Sequence, residues 1–277
     1  MARFYLTEAV PAVYLLDDGT GGYLLDDADA TAFFTASGIT DATQKNAIDN
    51  LVFDLKSYGL WTKLRAIYPF VGGTAATHKW NLKNPADTDA AFRLSFLGGW
   101  THSATGALPN GTTGYANTFF VPNTVYAGAN SGHISYYSRT NTTGVVQQDM
   151  GAAPTTADQQ VIIIKYGNPG NSYFYWGGGS NPTFATSDSR GYFMVNRNDT
   201  TNTQGWKNGV KSANLAQTSA LSTIPIFIGA INSAGAASSF TDRECAFATI
   251  GDGLTDTEAA NLNTAVANFQ TDLGRAL

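Results

Sequence analysis

Between about Trp61 and Ile250 the apolar residues come in short runs broken by Gly, Asn and Pro: LRAIYPFVG, AFRLSFLG, GYANTFFV, HISYYSR, QVIIIKYG, SYFYWGGG, GYFMVNRN, IPIFIGAI and CAFATIG. Runs of this length, spaced this regularly, predict the strands of a sandwich or barrel. Within them, Asn208-Gly209 in GWKNGV predicts a hairpin, because a type I′ turn needs positive φ at both central positions. The period changes on either side of the strand region. From Asp41 to Ser57, Ile48, Leu51, Val52 and Leu55 fall on one helical stripe, with Asp41 as N-cap and Gly59 as stop. At the C-terminal end, Thr255 and Glu258 have capping-box spacing, and Leu262, Val266, Phe269 and Leu273 share a face, which predicts a docked helix. Near the start, YLLDD at 14–18 recurs at 23–27 across Gly19, Thr20, Gly21 and Gly22 and predicts a small β-hairpin. A lone hairpin is marginal in water, so it should lean on the body or on a neighbouring chain.

Composition narrows the surface chemistry. Only 13% of the 277 residues are charged against 43% hydrophobic, so Asn, Thr, Ser and Gly must supply the polar exterior. The net charge of -5 provides no basic stripe, and nucleic-acid binding is not expected. Cys245 is the single cysteine, which excludes an intrachain disulfide and reads as a buried thiol. No signal peptide is read at the start, where Glu8 and Pro11 interrupt the apolar run, and no stretch is long enough for a membrane-spanning helix.

The order GYFMVNRN, GWKNGV, IPIFIGAIN and FTDRECAFATIGDGLTDTEAANL resembles the second half of a concanavalin A-like, laminin-G-like sandwich. With it the expected fold class is mostly β: a jelly-roll sandwich over 61–277 ending in a C-terminal helix, preceded by an attachment region, 1–60, of hairpin plus one helix. The stretch from Gly59 to about Thr118, together with the YLLDD hairpin, is similar to segments of bacteriophage structural proteins. That resemblance implies a virion component of tail, fibre or capsid surface, made in the host cytoplasm. It would be a homo-oligomer joined to other virion proteins through its N-terminal region. Tyr14, Leu16, Tyr23 and Leu25 are the candidate assembly residues.

Concanavalin A-like sandwiches also include glucanases that resemble one another through a Glu-x-Asp-x-x-Glu strand. Retaining hydrolysis needs two carboxyls about 5 to 5.5 Å apart, yet glutamate occurs only at 8, 244 and 258, and none begins that motif. Asp87 and Asp89, beside Pro85, read as turn and cap residues. His78, His102 and His133 stand singly, without zinc spacing, and neither a nucleophile elbow nor a phosphate loop is present. No catalytic residue and no cofactor is expected. Loop carboxylates could assemble a calcium site, but no EF-hand spacing supports one, and the metal is left open.

A sugar presents apolar CH patches and a ring of hydroxyls, so aromatic side chains beside amides are the candidate ligand contacts. NPGNSYFYWGGGSNP places Tyr173, Tyr175 and Trp176 beside Asn168, Asn171 and Asn181, and GGWTHSATGALPNGTTGY places Trp100, His102 and Tyr115 near Asn110; Trp176, Tyr175, Asn171, Trp100 and His102 are the candidates. Trp176, next to three glycines, is expected to be exposed, whereas Tyr173, Tyr175 and Trp206 alternate as half-buried strand residues. The expected function is therefore a non-enzymatic virion protein presenting a lectin-like sandwich that acts as a spacer or as a host-surface glycan adhesin. A free bacterial carbohydrate-binding module or adhesin is the alternative, and a glycoside hydrolase the weaker one.

Overall fold

The computed structural model describes residues 15–17, 23–25, 27–142, 147–167 and 169–277, the first two segments by their backbone. Those segments, Leu15–Asp17 (β1) and Tyr23–Leu25 (β2), pair antiparallel as the expected hairpin, with Leu16 opposite Leu24 and Asp17 opposite Tyr23. Of the candidate assembly residues, Tyr14 lies outside the described residues, as do the side chains of Leu16, Tyr23 and Leu25.

The remaining strands form two sheets face to face, a mostly β sandwich as expected. The back sheet runs Val210–Ala216 (β15), Asn202–Lys207 (β14), Gly191–Arg197 (β13), Gly132–Ser138 (β8), Cys245–Gly251 (β19), Gly106–Pro109 (β6) and Trp100–Ser103 (β5). Leu64–Tyr68 (β3) pairs with β19 off that path. The front sheet runs Thr183–Thr186 (β12), Gly170–Gly177 (β11), Gln159–Tyr166 (β10), Met150–Ala153 (β9), Phe227–Ile228 (β16), Tyr115–Asn117 (β7) and Ser95–Leu97 (β4). Ile231–Ser233 (β17) and Ala236–Ser238 (β18) form a hairpin beside it. Pairing is antiparallel except between β17 and β9. The turn between β14 and β15 has Asn208 at φ 49° and Gly209 at φ 77°, the two left-handed residues a type I′ turn requires.

Alternation along the strands sends one row of each sheet into a shared core. Tyr136, Phe193, Val195 and Ile250 from the back meet Ile162, Ile164, Phe174, Trp176 and Ile228 from the front. Cys245 is buried there, and burial pushes its thiol well above the ordinary range, so it is unreactive packing. Asp149 and Arg243 form a fully buried ion pair at 3.0 Å. Thr241 Oγ1 and the Ile164 amide also donate to Asp149, so both carboxylate oxygens are occupied.

The other face of the back sheet is covered by helices: Ala28–Ser37 (α1), Ala42–Ser57 (α2) and Asp256–Asp272 (α5). Two shorter helices, Ala75–His78 (α3) and Pro122–Val125 (α4), lie in connections. The predicted caps are present: Asp41 accepts from the Gln44 amide, and Thr255 and Glu258 form the reciprocal box. Leu262, Val266 and Phe269 bury against Tyr137, Tyr192, Met194 and Phe247, while Ile48, Leu51, Val52 and Leu55 of α2 complete the same cluster. Each such side chain contributes about 1.5–3 kcal/mol as an upper bound. The α1 helix was not anticipated, although Asp27 caps it and Ala30, Phe33, Phe34 and Ser37 form its buried stripe. The helical part of the N-terminal region, α1 and α2, thus packs on the sandwich itself.

Candidate functional site

Among the described residues helices cover the outer face of the back sheet, which leaves the outward row of the front sheet as the β surface open to a ligand. Along β11, burial alternates: Ser172, Phe174 and Trp176 point inward, whereas Asn171 is exposed and Tyr173 and Tyr175 are half-buried on the other face. Tyr175 stands opposite Val161 and Tyr173 opposite Ile163, so both phenols lie over an aliphatic floor completed by Ile231 and Ala153. No helix among the described residues contributes to that cluster. At the far end Tyr166, 44% exposed, pairs across from Asn171, and its ring meets Tyr173 edge-on at 6.2 Å. Thr183 and Ala185 of β12, both exposed, stand opposite Tyr173 and Asn171. Burial first, then the adjacent Tyr173, raises the Tyr175 hydroxyl above its ordinary range, so it remains a neutral donor and acceptor. Apolar floor, aromatic faces, amide and hydroxyls together suit a polyhydroxylated, uncharged molecule.

The structure therefore keeps Tyr175 and Asn171 as surface candidates and corrects Trp176. Its indole is fully buried, with Nε1 donating to the Ala129 carbonyl at 2.8 Å and the ring 5.7 Å from Tyr126. A Cβ on Gly132 would sit 2.2 Å from its ring, so a neighbouring glycine makes room for the indole inside the core. Trp176 cannot stack on a ligand. Tyr166 is the member of the row that the sequence does not announce, while Tyr173, in the candidate stretch and read there as a half-buried strand residue, takes its place by strict alternation with Tyr175.

Trp100 and His102 do come together, but as packing between the edges of the two sheets. Trp100 Nε1 donates to the carbonyls of Leu97 at 3.1 Å and Tyr115 at 3.2 Å, and its ring stacks on His102 at 6.1 Å and meets Phe96 edge-on at 5.2 Å. His102 Nδ1 faces Nδ1 of buried His78 at 2.9 Å. The Gly73 amide donates to His78 Nε2 at 3.2 Å, which places the proton of neutral His78 on Nδ1 and makes His102 Nδ1 the acceptor. A cation on these two atoms would move that proton to Nε2, against the Gly73 N–H, so the pair is poorly suited to a metal. Burial, His102 and Arg275 push His78 down to about 3; burial also lowers His102. Among the described residues no group of three or more His, Cys, Asp and Glu is placed to hold a metal.

Acidic groups are engaged elsewhere. Glu258 caps α5 and pairs with Lys63, Glu244 pairs with Arg139, and Asp87 and Asp89 bind Lys79 and Arg93. A cleft of about 450 Å³ lies on the helix side, lined by Tyr137, Asp188, Arg190, Lys207, Asn263 and Leu277. Its cations are already bound, Arg190 to the Asp188 carboxylate and Lys207 to the Asp188 carbonyl. We favour the tyrosine row over this cleft because its aromatic faces are not committed to such pairs. No helix among the described residues is long and apolar enough to cross a membrane.

No protein-family model and no curated protein matches the sequence. Solved structures share the arrangement in part. Domain 4 of AbnA, a GH43 extracellular arabinanase from Geobacillus stearothermophilus, in complex with arabinotriose, is 16% identical, with 73% of this chain and 98% of that chain covered at a TM-score of 0.43. The receptor-binding domain of botulinum neurotoxin C/D mosaic serotype is 9% identical, with 74% of this chain and 51% of that chain covered at 0.49. The CBM40 of the Ruminococcus gnavus IT-sialidase is 13% identical, with 48% and 81% covered at 0.34. At these values the likenesses carry no assignment of ligand or activity.

Proposed function

We propose that this chain is a non-catalytic carbohydrate-binding sandwich whose ligand lies on the outward face of the front sheet. The observation that carries the reading is the row Asn171, Tyr173 and Tyr175, with Tyr166 beside it, on a β face whose apolar cluster includes no residue of a described helix. Aromatic faces meet sugar CH patches, and the amide and phenolic groups serve the hydroxyls. The commitment of Glu244 and Glu258 to ion pairs and a helix cap supports binding over hydrolysis. A glycan-binding screen comparing the native chain with Tyr175→Ala tests it. Binding that the substitution abolishes is expected; no binding to any glycan, or equal binding by both proteins, refutes it.

The proposed setting is a virion surface, with homo-oligomerisation and attachment through the N-terminal region. Its support is the sequence resemblance described above. Mass spectrometry of purified particles decides it: the chain should be present in stoichiometric amount, and finding it free or on bacterial cells instead favours an adhesin.

A further inference from the structure

Resting on the glycan-binding reading, we infer that the tyrosine face takes an extended, uncharged glycan of more than one sugar ring, laid along β11 and held without a metal ion. Three observations carry this. The first is length. Asn171, Tyr173 and Tyr175 occupy i, i+2 and i+4 of one strand, a row of about 14 Å at the rise of a β-strand. Tyr166, opposite Asn171, places a third ring at the far end. One sugar covers only part of that row.

The second is charge. Lys165 is the one charged residue in β9 to β12, and its ammonium is buried and donates to the Ser187 carbonyl at 2.7 Å. Beyond β12, Asp188 and Arg190 bind each other through Nε at 3.1 Å and Nη2 at 2.7 Å. An anionic sugar would lose hydration on this face without gaining a free cation, and that loss is costly. The third is the metal requirement. The described residues bring no three His, Cys, Asp and Glu side chains together as ligands, while the apolar floor and phenols of the row need no ion to meet a sugar.

Titration calorimetry of the full chain tests the inference. The probes are cello-, laminari- and manno-oligosaccharides of increasing length, and polygalacturonate as the acidic chain, each at low and high salt and with and without EDTA. Affinity for at least one neutral series should rise with length and ignore salt and chelator. Tyr166→Ala, at an exposed position that leaves the core intact, should flatten that rise with length and lose up to about tenfold on the longest member. Affinity independent of length, a salt-sensitive preference for polygalacturonate, or loss on chelation would overturn the inference and leave glycan binding standing. Failure to bind any glycan in the screen would overturn the reading beneath it.

Discussion

Acidification should weaken this fold well before its carboxylates protonate, and the cause is buried histidine. His133 lies in the core with Nδ1 2.7 Å from the Asp252 carbonyl and Nε2 3.1 Å from Thr249 Oγ1, and burial pushes it down to about 4. His78 is down to about 3. Both folded values lie below the ordinary 6.5, so between those limits the unfolded chain binds more protons than the native one. Their stabilisation is complete above about pH 6.5 and falls as the pH is lowered towards the folded values. From about pH 7 to about pH 5.5 each loses about 1.2 kcal/mol, roughly 2.5 kcal/mol for the two, a large share of an ordinary domain's 5–15 kcal/mol. His102, lowered in the same direction, adds to the loss. The carboxylates shifted down, such as Asp188 at about 2, do not titrate in that window. Urea unfolding followed by tryptophan fluorescence should show the midpoint falling with an unchanged slope. Imidazole NMR should show His133 and His78 silent across the window. Equal stability at both pH values to within about 0.5 kcal/mol, or greater stability in acid, would refute the reasoning.

Trp176→Ala should destabilise by about 3–5 kcal/mol as a core truncation, measured by denaturant unfolding, whereas Tyr175→Ala should cost far less while removing glycan binding. Asp149→Asn leaves Arg243 charged and buried without its partner and should cost about 3–5 kcal/mol; a loss under 1 kcal/mol would mean that the guanidinium is served by carbonyls alone. Gly209→Ala places a Cβ at φ 77° and 2.9 Å from Asn263 Nδ2, and a thermal melt should register a loss of about 1–2 kcal/mol.

Period and punctuation made much of the architecture legible. Asn208-Gly209, the Thr255–Glu258 box and the α2 stripe each state a local geometry that the fold needs, and each is present. The α1 helix was also written, in Asp27 as cap, in the spacing of Ala30, Phe33, Phe34 and Ser37, and in Gly38 at φ 69°. It was hidden because Asp27 also reads as the last residue of the YLLDD repeat. The proposed ligand face was harder. Residues 173–176 are aromatic at every position, so alternation separates two rows without naming the one that faces solvent. Which sheet carries helices decides that, and the decision depends on contacts between segments far apart in sequence. The glycines after Trp176 point to an exposed indole; Gly132, on another strand, reveals the packing.

The unequal cover of the two sheets has a dynamic counterpart. Strands β8 and β19, pressed between a core and a helical layer, should surrender their amide hydrogens to deuterium last. Strand β12, at an edge with side chains facing water, should exchange early, and a saccharide lying beside it would slow that exchange without touching the slow centre. The half of the molecule proposed to recognise a sugar would then also be the half that breathes.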